Sequence, residues 1–248
     1  MVKNRLPVRS VVAVGNRKIE IGFTGILETA EGSMPLQNRV DPFGELFADR
    51  ARGLFMGNRG GRLHTAQRTL TRRRWTSRAW ICCVLDFNNR RRSVWDNSYT
   101  ELFFLDEPTA LAAGHRPCFE CRRRDAMAFA ESWQRAFGLT DRARAAAMDA
   151  RLQGERLDGR AKRRHALPVA DLPDGAFVAL EGGAFAVRGG SLLRWTPGGY
   201  TDTRRRPRRG TADALTPPAI LAVLAGGYRP RWHDSAEGRI MPNPSSPP

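Results

Sequence analysis

The stretch from Tyr99 to Arg124, YTELFFLDEPTALAAGHRPCFECRRR, decides the fold. Tyr99 to Leu105 is apolar and aromatic, as a strand requires. Asp106-Glu107-Pro108 then supplies a cap and a proline near the first turn, predicting a short helix over Thr109 to Ala113 that Gly114 stops. His115-Arg116-Pro117 leads directly into Cys118-Phe119-Glu120-Cys121. Two thiols separated by two residues can hold one metal ion together, because the turn between them brings both sulfurs to the same side. A helix follows from about Arg124 to Phe137. Ala126, Phe129, Ala130, Trp133 and Phe137 recur on one of its faces as core, and Gly138 ends it.

Upstream of this stretch the pattern is β. Arg62 to Leu70 shows polar alternation, and Ala79 to Phe87, AWICCVLDF, is strongly apolar. Asn88-Asn89 is a turn dipeptide, after which Arg91 to Trp95 can return antiparallel. With Tyr99 to Leu105 this predicts a three- or four-stranded antiparallel sheet. Cys82 and Cys83 are neighbours on its central strand and must face opposite sides, so at most one of them ligates with the Cys118-Cys121 pair. Ile81, Cys83, Leu85 and Phe87 share one face, read as core; Trp80, Cys82 and Val84 share the other. Further upstream, Asp41 with Pro42 and Glu45 predicts a short helix over Phe43 to Ala48. The glycine-rich run Met56 to Arg62 suits close approach to phosphate, but it lacks the Gly-Lys-Ser/Thr ending of a P-loop and reads first as a plain turn before the next strand.

Outside this core, Val8–Val14 and Lys18–Phe23 read as a strand pair in a loosely attached arm. Asp141 to Leu157 reads as a helix whose apolar face is mostly alanine, a solvated basic connector. Ala176–Leu180, Ala184–Val187 and Leu192–Trp195 read as a meander split by glycine pairs. A basic loop over Arg204 to Arg209 is expected to be exposed, and a short helix over Ala219 to Ala225 is expected after Pro217-Pro218.

Forty-one Lys and Arg against 25 Asp and Glu leave a formal charge of +16, nearly all of it arginine in clusters. A polyanion is the partner such a surface suits, DNA first and RNA second, with affinity from Arg59, Arg72, Arg73, Arg74, Arg90, Arg91, Arg92, Arg116, Arg122, Arg123 and Arg124. High-GC coding enriches Arg, Ala, Gly and Pro together and is the compositional alternative. No run approaches the roughly 18 apolar residues that a membrane span needs, and no basic amphipathic helix carries a bulky apolar face, so a membrane partner is not expected. Four cysteines without an export leader point to a reducing, cytoplasmic setting, where a cysteine cluster reads as metal-binding or catalytic before it reads as disulfides.

The run ELFFLDEPTALAAGHRPCFECRR resembles the metal-binding domain of the Ada DNA-repair protein family. There a strand, a short helix ending in Ala-Ala-Gly, an Arg-Pro pair and a Cys-x-x-Cys follow in the same order. The resemblance is local and reaches only loosely to the strand with Cys82 and Cys83. It implies a small αβ unit holding zinc through thiolates, with Cys118 and Cys121 as the downstream ligand pair behind Arg116 and Pro117. In that family an upstream ligand cysteine accepts a methyl group from a DNA phosphotriester. The family takes its first two ligands from a Cys-x-x-x-Cys, whereas this chain offers the adjacent Cys82-Cys83. Zinc can therefore take one of these with Cys118, Cys121 and a histidine, His115 or His64; alternatively the thiols are buried hydrophobes.

The resulting expectation is an α+β chain with a small antiparallel sheet and short helices around a Cys knuckle, plus a smaller β-rich C-terminal module. Its boundaries are an arm at 1–40, an Ada-like metal module at 41–138, a helical basic connector at 139–167, a β-rich module at 168–234 and a disordered tail at 235–248. The expected function is nucleic-acid binding with a structural zinc site. The alternatives are an enzyme on DNA, by methyl transfer to cysteine or as a metal-dependent nuclease, and a scaffold with no nucleic-acid partner.

Overall fold

The first sheet is built from short strands: β1 (Arg39–Val40), β2 (Leu46–Phe47), β3 (Phe55–Asn58), β4 (Ile81–Cys83), β5 (Leu102–Phe104) and β6 (Arg116–Pro117). Their order is β2-β1-β5-β3-β4-β6 in this computed structural model, which describes residues 34–90 and 93–238. The expected strand pair at Val8–Val14 and Lys18–Phe23, Arg91 and Arg92, and the end of the tail lie outside the described residues. The described residues from Pro35 onward form one compact unit.

The α+β class is as expected, but the sheet is mixed rather than a small antiparallel one. β1 runs parallel to β5, and β4 runs parallel to β6. Strands of two residues have no alternation to read, and parallel pairing depends on chain segments far apart in sequence. Gly57 lets β3 sit between its neighbours, since a Cβ there would lie 2.2 Å from the Ile81 carbonyl oxygen and 2.9 Å from the Phe104 ring.

After β5 the local signals act as the sequence predicts. Asp106 caps α1 (Glu107–Ala112), accepting from the Thr109 backbone N–H at 3.0 Å. Gly114 follows with φ +88°, and a Cβ there would also meet Arg156 Cδ at 2.7 Å, so it both ends the helix and admits a packed arginine. α2 (Arg123–Ala136) and α3 (Ala145–Arg156) come next, then a two-stranded hairpin of β7 (Leu157–Asp158) and β8 (Ala161–Lys162).

A second six-stranded sheet holds β9 (His165–Pro168), β10 (Phe177–Leu180), β11 (Gly183–Arg188), β12 (Ser191–Thr196), β13 (Gly199–Arg205) and β14 (Thr211–Ala214), in the order β13-β12-β11-β10-β14-β9. β10 to β13 form the expected meander, extended by one strand. α4 (Pro218–Ala225) then packs its apolar face inward. Leu105 and Ala112 share one buried cluster with Phe177, Leu193 and Tyr200, so the core is continuous between α1 and the second sheet.

Several local expectations are corrected. Phe43–Ala48 is a turn followed by β2, not a helix: Asp41 accepts from the Glu45 N–H at 2.9 Å, and Gly44 at φ +83° leaves the helical region. Arg62–Leu70 contributes only an isolated His64–Leu70 bridge. Val94 and Trp95 form a turn, with Trp95 at φ +60°, rather than a return strand. Asn88 and Asn89, at φ +53° and +52°, do form the expected turn. α3 begins at Ala145 and is no solvated connector, because Met148 and Leu152 are fully buried against Phe129, Trp133 and Ile220. In the basic loop Arg206 is buried and donates to the carbonyls of Val169 and Ala170. The first residues of the expected disordered tail form a short 3-10 turn, Asp234–Ala236, with Ala236 buried.

Candidate metal centre

The pairing of β4 with β6 brings the cysteines together. Its register sets Ile81 against Arg116 and Cys82 against Pro117, and the Cys118 N–H donates to the Cys82 carbonyl at 3.0 Å. The next residue on each strand is Cys83 on one side and Cys118 on the other. The turn into α2 then returns Cys121 to the same place. The Sγ atoms of Cys83, Cys118 and Cys121 all lie within 4.8 Å of one another. Sulfurs about 2.3 Å from one tetrahedral ion sit roughly 3.8 Å apart, so this cluster can hold a metal ion with little adjustment.

The charge distribution agrees with ligand chemistry. Hydrogen bonding with the neighbouring Cys121 and Cys83 thiols lowers the Cys118 pKa despite its burial. Donation to Cys118 correspondingly holds the Cys83 and Cys121 thiols up. Thiolates are the ligating form, so a bound cation would displace protons from this cluster.

Alternation along β4 sends Cys82 the other way. It is fully buried with Val40, Phe55, Leu102 and Phe104, and burial pushes its thiol pKa up. The expectation that only one of the adjacent pair joins the knuckle holds. The expected faces are reversed, since Cys82 points into the core and Leu85 is 55% exposed. The strand ends at Cys83, so the residues beyond it no longer follow the alternation. Cys82→Ala should therefore leave metal content unchanged and lower stability by only about 1–2 kcal/mol, measured by metal analysis and urea unfolding of the same preparation.

Neither histidine belongs to the cluster. His115 is fully buried, 4.7 Å from the Phe104 ring and 5.2 Å from Trp80, and its Nε2 faces Arg59 Nε at 3.4 Å. Burial, reinforced by Arg59, Arg156 and Lys162, lowers its pKa well below the usual histidine value. His64 stacks on Trp95 at 5.1 Å and is held by the Thr100 hydroxyl and the Asp96 carbonyl.

The arginines divide into two groups. Arg72, Arg73, Arg90, Arg123 and Arg124 are exposed and Arg74 is partly so. Arg59, Arg116 and Arg122 are buried and serve the interior instead of presenting charge to a polyanion. Arg116 makes a two-pronged pair with Asp149, both contacts 2.8 Å. Arg122 pairs with Glu107 at 2.8 Å and Asp125 at 2.7 Å, and donates to the Cys82 sulfur at 3.3 Å. A buried network behind the knuckle was not anticipated: Glu107 also accepts from the Tyr228 hydroxyl at 2.6 Å, and Asp106 accepts from Tyr200 at 2.8 Å. Its only sequence signal is the pair of acids before Pro108, which reads as helix capping alone.

Among the described residues no helix is long and apolar enough to cross a membrane. Comparison of the chain with protein-family models, with curated proteins and with solved structures finds no match in any of the three.

Proposed function

We propose that Cys83, Cys118 and Cys121 hold one zinc ion in an Ada-like metal module, and that the chain is a nucleic-acid-binding protein with DNA as its first partner. The gathering of three thiols by the β4–β6 register carries this reading. Thiolate ligands favour zinc, copper(I) and iron–sulfur clusters, and of these redox-inert zinc suits a structural site that fixes a loop to a strand. The zinc would fasten the start of α2 to β4, so that Arg123 and Arg124, exposed just after the knuckle, stand at a fixed place on the surface. The +16 charge supplies the affinity.

Metal analysis of purified chain tests the first half: one zinc per chain supports it, and metal-free folded protein removes it. Retardation of duplex DNA tests the second. If about six phosphates are neutralised, affinity should fall about a thousandfold between roughly 50 and 200 mM salt. Arg123→Gln with Arg124→Gln should weaken binding and flatten the slope of log affinity against log salt by about two. Binding that ignores salt would remove the electrostatic half of the reading, and no retardation of any probe would leave the scaffold alternative. A mass gain on Cys83, Cys118 or Cys121 after incubation with methylated DNA would instead support methyl transfer, and metal-dependent plasmid nicking would support a nuclease.

A further inference from the structure

Away from the cysteines, the β7–β8 hairpin, the turn at Phe43–Gly44 and the segment around Trp75 enclose an open recess. Its enclosed volume is only about 20 Å3, so a ligand would sit at its mouth and not within it. Arg59, Arg74, Arg160 and Lys162 line it, with Trp75 and Trp80 as aromatic walls, and Glu45 is the one carboxylate among the lining residues. Four cations therefore face a single acid. Directly behind, Trp80 carries the guanidinium of Arg59 at 4.1 Å and that of Arg156 at 3.9 Å.

These cations are held by carbonyls. Arg59 donates to Gly44 at 2.8 Å, Arg156 to Gly114 at 2.9 Å, Arg160 to Arg72 at 2.5 Å, and Lys162 to Ala112. Among the described residues none of Arg59, Arg74, Arg156, Arg160 and Lys162 makes an ion pair, whereas the buried Arg116 and Arg122 are each matched to carboxylates. The same chain thus neutralises its buried cations in one place and leaves them together in another. Burial and repulsion from Arg59 and Arg156 push the Lys162 amine down to about 7. Cation–π contacts on Trp80 stabilise two guanidiniums without cancelling their charge. The cations around the recess outnumber the carboxylates beside them, Glu45 in the lining and Asp41 nearby, so positive charge is left there for an anion from outside.

The geometry points to a binding site for a phosphate monoester at the mouth of the recess, with the dianion against Arg74, Arg160 and Lys162, backed by the buried Arg59, and its organic part against Trp75. Guanidinium forks match the tetrahedral oxygens, lysine adds a point charge, and an indole face offers a stacking surface for a base. We take the source to be the phosphorylated end of a nucleic-acid strand; that choice rests on the nucleic-acid reading above, while the phosphate site does not.

The test uses the full chain. Inorganic phosphate at about 10 mM should raise the melting temperature above that in chloride of equal ionic strength. Arg160→Gln, on an exposed side chain, and Arg74→Gln should each weaken phosphate binding in calorimetry about tenfold. A 5′-phosphorylated oligonucleotide should bind at least about tenfold tighter than its 5′-hydroxyl twin, with that preference lost in the Arg160→Gln chain. Equal melting in phosphate and chloride overturns the site. A phosphate shift unchanged in both variants means an adventitious ion only and overturns it too. A shift that is lost in the variants, with the two oligonucleotides binding alike and a nucleoside monophosphate binding tighter than phosphate, sustains the site and overturns the strand end as its source. A sustained phosphate shift with no retardation of any DNA overturns the nucleic-acid reading and leaves the site standing.

Discussion

Cys118→Ser is expected to abolish zinc binding and to lower the melting temperature of the zinc-loaded protein by on the order of 10 °C. Cys118 is one of the three sulfurs of the cluster and follows directly from β6. Serine keeps the size but is a poor zinc ligand, and it leaves two thiols where three converge. A ligand present at a thousand times its Kd stabilises the folded state by about 4 kcal/mol. In a chain of this length each kcal/mol is worth about 2–4 °C. Cys83→Ser should match this loss, because Cys83 is the sole contribution of β4 to the cluster. A chelator should bring the native protein to the melting temperature of the serine variants and leave the variants unmoved. If Cys118→Ser retains one zinc, or if chelation leaves the native melting temperature where it was, the three sulfurs are buried thiols and the metal module is lost as an explanation.

Asp106→Ala is expected to cost about 4–5 kcal/mol, measured by urea unfolding. The carboxylate is fully buried, and two of its four hydrogen bonds, from Tyr200 and His233, join separate parts of the fold. Oδ1 accepts from the Thr109 N–H at 3.0 Å and the Thr109 hydroxyl at 2.7 Å, while Oδ2 accepts from the Tyr200 hydroxyl at 2.8 Å and the His233 N–H at 3.2 Å. Alanine removes a helix cap worth about 1 kcal/mol and strands buried donors at about 1–3 kcal/mol each. Tyr200→Phe, which removes one bond and leaves the others, should cost about 1–1.5 kcal/mol. The contrast separates a tertiary network from an ordinary cap: a loss of only about 1 kcal/mol in Asp106→Ala would mean that the contacts to Tyr200 and His233 contribute nothing.

Local chemistry in the sequence predicts α1, α2, α4 and the meander, and the reasons are visible residue by residue. Asp106, Pro108 and Gly114 fix α1 through capping, a preset φ and a left-handed stop, none of which needs a distant partner. The failures lie where a local signal has two outcomes. Asp41 with Pro42 can cap a helix or close a turn, and Gly44 decides for the turn. The alanine-rich α3 looks solvated by composition, yet Met148 and Leu152 are enough to seat it because α2 and α4 present a matching apolar surface. Arginine count gave a polyanion partner for Arg59, Arg116 and Arg122 alike, whereas burial assigns them to Trp80, Asp149 and Glu107.

By itself the sequence determined that Cys118 and Cys121 converge and that Cys82 and Cys83 diverge, because a two-residue turn and the period of a strand are properties of the backbone alone. Only the tertiary structure decided which of the adjacent pair joins the knuckle. Alternation states that neighbours face opposite sides but not which side is core; that is set by pairing β4 with β6, two segments more than thirty residues apart, which lays Cys83 beside Cys118 and turns Cys82 toward Phe55 and Phe104. The same holds for the cations around Trp80, which come from scattered positions and become a recess only when the β7–β8 hairpin folds back on the first sheet.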